Sequence, residues 1–397
     1  MAKDLRIRVL PAVADVPAPA WDACANPSSN SQDQAYNPFI SHDFLSALES
    51  SGSATARTGW QPQHLIAETE DGAVLGAAPA YLKSHSRGEY VFDAGWAEAY
   101  ERAGGSYYPK VQVSVPFTPA TGRRLLVPPT ENAELIRRGL ASGLIELTKL
   151  RGASSVHVTF ALQDEWRLLG ELGFLQRNDQ QFHWENSNYG TFDDFLNALA
   201  ARKRKAIKRE RREALSNGIE VQWLIGSDLT EKVWDHFFAF YMETGSRKWG
   251  RPYLTRKFYS LIGETMADKV LLVMAKRAGR YIAGAINFIG GDTLFGRHWG
   301  AVEHHPFLHF ELCYYQAIDY AIQHKLARVE AGAQGEHKLA RGYMPVTTYS
   351  AHYIADPSLR RAIADYLKRE RAYVAAAGAE LAEMGPFRKD LVFEETS

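Results

Sequence analysis

Cysteine is nearly missing from this sequence: Cys24 and Cys313 are the only two in 397 residues. Two cysteines cannot build a disulfide framework and suit a reducing compartment, so a cytoplasmic protein is expected. Net charge is missing too. Lys plus Arg and Asp plus Glu each total 46, which leaves no overall field to draw the chain onto nucleic acid or an anionic membrane, and any basic site must be local. No apolar run reaches the roughly 20 residues of a membrane-spanning helix. The opening Met1-Ala-Lys-Asp-Leu-Arg6, followed by Pro11, Pro17 and Pro19, contains no signal-peptide core. Sustained heptads are absent, so no coiled-coil arm is expected. Also lacking is a Gln/Arg-x-x-Gly-x-Gly/Ala loop, whose backbone amides would hold a pyrophosphate. Neither His-Glu-x-x-His nor paired-cysteine spacing occurs, which argues against a metal-dependent hydrolase.

What is present is a soluble, globular composition, 46% hydrophobic and 23% charged, in a chain long enough for two cores. The sequence also repeats itself. Gly72-Ala-Val-Leu-Gly76-Ala77 leads through an apolar stretch and a turn to Tyr90-Val-Phe-Asp-Ala-Gly95-Trp96, and Gly279-Arg-Tyr-Ile-Ala-Gly284-Ala285 leads likewise to Thr293-Leu-Phe-Gly-Arg-His-Trp299. In both halves a helix then a strand follow, at 143–160 and 317–332. This spacing is far too long for a solenoid and indicates two copies of one α/β (α+β) domain. Asp71-Gly72 between apolar runs predicts a hairpin. Ile136, Leu140, Leu144 and Leu147 recur at helical spacing, and Thr130 is placed to cap that helix. The turn formers Glu185-Asn-Ser-Asn-Tyr-Gly190 suggest a linker, giving domains at 1–190 and 191–397, the second entered by a basic helix over 191–217. Thr191 with Asp194 forms a capping signal at its start.

Three regions carry candidate chemistry. Residues 202–212 hold eight cations, Arg204 and Arg209 among them, with Glu210 and Glu213 nearby. Such a run is either a solvated helix face or an anion site. His298, His304, His305, His309 and His337 fall within 40 residues of a chain that has 13 histidines. Together with Trp299 and Glu311 they suggest a cleft lining that could accept a proton from an attacking amine. The segment Glu330-Ala-Gly-Ala-Gln-Gly-Glu-His-Lys338 leaves the carboxyl end of a strand, where α/β folds place their sites. Its Gln334, Glu336, His337 and Lys338 supply acid, base and donor groups. Tyr343 is either a candidate acid or a core tyrosine. In the first half, Tyr108 and Lys110 are candidate binding residues within an aromatic-rich stretch, and the chemistry is assigned to the second half.

Asn37-Pro-Phe-Ile-Ser-His-Asp-Phe44, Tyr107-Tyr-Pro-Lys110 with Val115-Pro-Phe-Thr-Pro119, and Gly332-Ala-Gln-Gly-Glu-His-Lys338 with Arg341-Gly-Tyr343 and Pro345 resemble the FemAB-like transferases. The resemblance is nearest to the bacterial branch described as peptidoglycan biosynthesis or recognition proteins. It implies two tandem acyl-CoA N-acyltransferase (GNAT-like) domains with mixed central sheets flanked by helices. It also implies transfer of an acyl or aminoacyl group from a thioester or ester to an amine, with acyl-CoA or aminoacyl-tRNA as co-substrate and no tightly bound cofactor. The acceptor would be a small molecule or a peptide or glycan precursor, and tRNA a partner if it is the donor. By the same likeness Arg204 and Arg209 would meet phosphate, and Lys338 would steady the reacting carbonyl. The alternative is a non-catalytic binder of a phosphorylated glycan or peptide precursor.

Overall fold

The computed structural model describes residues 5–27, 35–249, 252–332 and 335–388, with only the backbone at 247–249 and 336. The chain forms two compact units. One contains residues 1–179, 253–262 and 347–375, the other 180–252, 263–346 and 376–397.

The first unit is built on strands β1 (Arg6–Leu10), β2 (Trp60–Pro62), β3 (His64–Glu68), β4 (Val74–Ala78), β5 (Ala80–Lys83), β6 (Lys110–Val113) and β7 (Ser155–Ala161). β3 pairs antiparallel with β1 and β4, the latter through the expected Asp71-Gly72 hairpin, where Gly72 takes φ 84°. β2 and β3 are one ribbon interrupted at Gln63, whose N–H still reaches Ala80 O at 2.8 Å; opposite the break, Pro79 has no N–H to give. β5 pairs antiparallel with β2 and β6, and β6 parallel with β7. β8 (Leu175–Glu185), β9 (Ile219–Leu224), β10 (Val270–Arg277), β11 (Arg280–Ile289), β12 (Thr293–Ala301), β13 (Arg328–Glu330) and β14 (Met344–Ile354) complete the strands. β14 closes the first unit by pairing antiparallel with β7. In the second unit β9, β10, β11 and β12 are successively antiparallel, β12 and β13 are parallel, and β8 closes the sheet antiparallel to β13. Each unit therefore has the same mixed order, and each takes its closing strand from the other half of the chain.

The helix Ala133–Leu150 starts at the last residue of the turn in which Ala133 N–H donates to Thr130 O, so Asn132 rather than Thr130 stands at its N-terminal cap. Its Ile136, Leu140, Leu144 and Leu147 pack on Val111, Val113, Val156 and Val158. β7 is buried along its whole length, as a strand covered on both faces must be. In the second unit the Thr191–Asp194 capping box forms as its sequence predicts, but the helix it opens, Phe192–Ala198, stops where Leu199 turns extended, so the basic run lies on a separate helix, Ala201–Ala214, and not on one helix over 191–217. Leu308, Leu312, Tyr315, Ile318 and Ile322 bury one stripe against Leu294 and Val329. The helix Glu231–Trp249 lies so close to β12 that a Cβ on Gly300 would stand 2.0 Å from Phe240 O. Among the described residues no helix is long and apolar enough to cross a membrane.

Candidate active site

In the second unit, β12 and β13 pair only at Thr293–Arg328, Leu294–Val329 and Phe295–Glu330. Past Gly296 lies a crevice of about 90 Å³ lined by Asn287, Arg297, His298, Trp299, His309, Cys313, Tyr314 and Ala331. Two local irregularities shape it. Ile286 pairs with His298 and Asn287 with Gly296, leaving Arg297 as the extra residue of a β-bulge, a device that re-aims side chains beside sites. On the facing segment Pro306 delays the helix, Phe307 sits at φ 61°, ψ 0°, and Glu311–Tyr315 makes a single π-helical turn. A π turn and a left-handed bulky residue both cost free energy and concentrate at functional positions.

The electrostatics follow from burial. Burial, with Arg297 adding, pushes the His298 imidazole down to about 3, so it is neutral at physiological pH although part of the ring still lines the crevice. Trp299 packs on His309 with ring centroids 4.7 Å apart, and its buried indole N–H meets no hydrogen-bond partner among the described residues. The segment Glu336–Arg341 is a 3-10 helix of six residues. It brings His337 Nε2 to 2.9 Å from the Tyr314 hydroxyl, while Lys338 is 3% exposed and donates to Gly332 O at 2.9 Å. Burial pushes the Lys338 ammonium down to about 8; Cys313 opposes the shift and Arg297 adds to it. A larger cavity of about 500 Å³ shares Trp299 and His309 with the crevice.

Not every expected residue faces these spaces. Glu311 is fully buried and bound to Arg211, Nη2 to Oε1 at 2.9 Å, with Gln316 Nε2 at 2.7 Å, so it anchors the basic helix and is not open to a ligand. Tyr343 is fully buried and donates to Tyr314 O at 3.3 Å, which makes it a core residue; burial raises its hydroxyl well above the usual value. Gln334 lies outside the described residues, as does the Glu336 side chain. The basic helix Ala201–Ala214 has two faces. Glu210 turns inward to Arg341, at 3.0 Å, and Arg211 to Glu311 and Asp319. Arg202, Arg204, Lys205, Lys208, Arg209 and Arg212 border an open concavity of about 710 Å³, with Arg209 exposed and Arg204 half-buried.

In the first unit Lys110 is enclosed: its Nζ lies 2.8 Å from Ser86 Oγ, 2.6 Å from Glu89 Oε2 and 2.5 Å from Asp93 Oδ2. Burial opposes its charge, but Glu89 and Asp93 outweigh burial and raise its pKa. Its ammonium is thus committed to these internal partners. Tyr108 is half-buried and shares a 2.8 Å bond with Ser86 Oγ. Asp93 also accepts from Tyr107 at 2.7 Å, and His157 and His352 join through a 2.7 Å Nδ1–Nδ1 bond. The sequence reading passed over His157 and His352 because each stands alone in its strand; their cross-strand register creates the pair. Arg297, Cys313 and Tyr314 were missed in the second unit, although Cys313 follows His309 by four residues and so shares its helix face. Among the described residues no group of three or more His, Cys, Asp or Glu is placed to hold a metal ion.

The family model described as FemAB-like, peptidoglycan biosynthesis/recognition, matches residues 12–389. No curated protein matches the chain. Among solved structures, FemX aligns at 14% identity with a TM-score of 0.53, over 88% of this chain and 98% of that one. L-PGS from Bacillus licheniformis aligns at 8% identity and TM-score 0.50, over 85% and 99%. A conserved protein of unknown function from Bacteroides thetaiotaomicron VPI-5482 aligns at 11% identity and TM-score 0.50, over 87% and 99%. At these identities the likeness is one of fold: the duplicated mixed sheet is shared.

Proposed function

We propose that this chain, which belongs to the FemAB-like family of peptidoglycan biosynthesis and recognition, is an enzyme that transfers an acyl or aminoacyl group to an amine at the parting of β12 and β13. The observation that carries this reading is the crevice itself, where parallel strands separate beside a bulge and the neutral His298 imidazole, the His309 ring and the Cys313 thiol meet, with the Lys338 ammonium buried nearby. The amine nitrogen attacks the carbonyl carbon of a thioester or ester. A C–N bond forms, the C–S or C–O bond breaks, the amine proton passes to an imidazole, and the departing sulfur or oxygen is reprotonated. At about 3, His298 is a weak base, which leaves His309 and His337 as the proton acceptors. Lys338, cationic below about 8, lies close enough to Arg297 and Cys313 to feel both and supplies positive charge toward the oxyanion. The cations that border the concavity on the basic helix, Arg204 and Arg209 included, would hold phosphate on donor or acceptor.

The test is turnover with acyl-CoA and aminoacyl-tRNA donors against a panel of amine acceptors, scored by release of free thiol or free tRNA. Lys338→Met should lower kcat by roughly 10²-fold with KM little changed, as expected for loss of an oxyanion partner. Wild-type activity should fall as pH rises through about 8, where Lys338 loses its proton. Binding of a phosphorylated precursor with no turnover for any pair would favour a non-catalytic binder. Full turnover in Lys338→Met together with His337→Gln would remove the chemistry from this segment.

A further inference from the structure

The crevice between β12 and β13, about 90 Å³, is below the range of roughly 300–1,000 Å³ common for small-molecule pockets and leaves little room beyond the reacting group. The adjoining cavity is about 500 Å³, within the range of roughly 300–1,000 Å³ common for small-molecule pockets. The two share Trp299 and His309, so a group held in one continues into the other.

The lining of the larger cavity is divided. Trp299, Ala301, Val302, Phe307 and Phe310 give it apolar walls, and Glu243, Glu303, His304 and His305 its ionisable groups. Glu303 is already occupied: it accepts from Arg277 at 2.8 Å and pairs with His305 at 3.0 Å, and these hydrogen bonds hold its carboxyl down to about 2. Glu243 is exposed and carries an interaction of its own. The aromatic walls are fixed before any ligand arrives. The Arg341 guanidinium stacks on Phe310 at 3.5 Å, Phe310 stacks on Tyr314, and Phe307 is held in its left-handed conformation. Preset aromatic walls beside a carboxylate that is already paired favour hydrocarbon over a cation. A second cation would meet no uncommitted carboxylate at Glu303.

We propose that this cavity is the pocket for the tail of the transferred group, and that the preferred donor carries an apolar acyl chain of several carbons, larger than acetyl or glycyl. The inference rests on the transferase reading and deepens it by naming the class of acyl group.

The test is a binding series that needs no turnover. Acetyl, butyryl, hexanoyl and octanoyl thioesters of pantetheine would be titrated into the full chain by calorimetry. Affinity should rise up to about fourfold per methylene, the equivalent of about 0.8 kcal/mol for each CH₂ buried. Val302 is 54% exposed at the cavity wall, so Val302→Trp fills space without disturbing the core, and it should flatten the series. An affinity that does not change with chain length overturns the proposal, and so does a series whose slope survives Val302→Trp. Failure of the transferase reading would look different: the binding slope would remain, with no product from any acceptor.

Discussion

Lys338 shows how a single side chain ties the candidate site to stability. Its pKa is about 8 when folded and 10.5 in the free side chain, so between these values the unfolded state binds more protons. The sign follows: below pH 8 the folded protein bears the full cost of a buried ammonium, and stability recovers as pH rises from about 8 to 10.5, by up to about 3 kcal/mol. Urea unfolding of wild type and Lys338→Met at pH 7.5 and pH 10 would check this. The methionine variant should lose that part of the pH dependence, and equal pH slopes in both proteins would contradict it. Lys110, Glu311 and Tyr343 teach a related lesson about reading residue types from sequence. Each has the chemistry of a site residue, but a charged or hydroxyl group gives no sign in sequence of whether its partner will be a ligand or another part of the chain. Lys110 finds Glu89 and Asp93, Glu311 finds Arg211, and Tyr343 finds a backbone carbonyl.

At the scale of elements, what was legible depended on period. The helix Ala133–Leu150, the Asp71-Gly72 hairpin and the Thr191 cap each carry a local signal, and all three form. The bulge at Arg297 and the π turn Glu311–Tyr315 have none, because a single extra residue in a ladder or a turn is set by packing. The basic helix is half legible. Its cation count announces an unusual face, but only the fold shows that Glu210 and Arg211 turn inward and fasten it. Two experiments separate its faces. Arg204→Glu with Arg209→Glu should leave thermal unfolding nearly unchanged, since surface substitutions of this kind usually cost within about 0.5 kcal/mol, yet weaken binding of a phosphorylated ligand in low salt. Binding equal to wild type would make the outer face a solvated one. Arg211→Met, which strands the buried Glu311 carboxylate, should instead cost about 3–5 kcal/mol. An Arg211→Met, Glu311→Leu double variant should lose less than the sum of the single losses, by the logic of a double-mutant cycle.

For the molecule as a whole, the repeat was visible in sequence but the exchange of closing strands was not. The repeated hairpins, with a glycine at the turn and Gly-Ala in the strand that follows, and the helix-then-strand succession come from local patterns that each copy keeps. Which partner β8 and β14 choose is a non-local pairing, decided by which sheet edge each completes, and nothing in either strand's own alternation names it. The consequence is physical. β7 lies between β6 and β14, and every side chain along it is buried. A fragment ending at residue 190 would keep β7 but lose β14, leaving an apolar strand with an open edge, the condition that favours aggregation over folding. We therefore expect 1–190 and 191–397, expressed separately, to be insoluble or to lack a cooperative unfolding transition, and the two co-expressed to recover soluble, folded protein. The 191–397 fragment should fail for the reciprocal reason, since β13 would lose β8. A cooperative thermal transition from 1–190 alone would show that its sheet closes without β14 and that the exchange contributes little to stability. Adding residues 347–375 to the first fragment through a flexible linker should restore such a transition if β14 supplies what is missing, and that rescue distinguishes loss of the strand from a poorly chosen boundary.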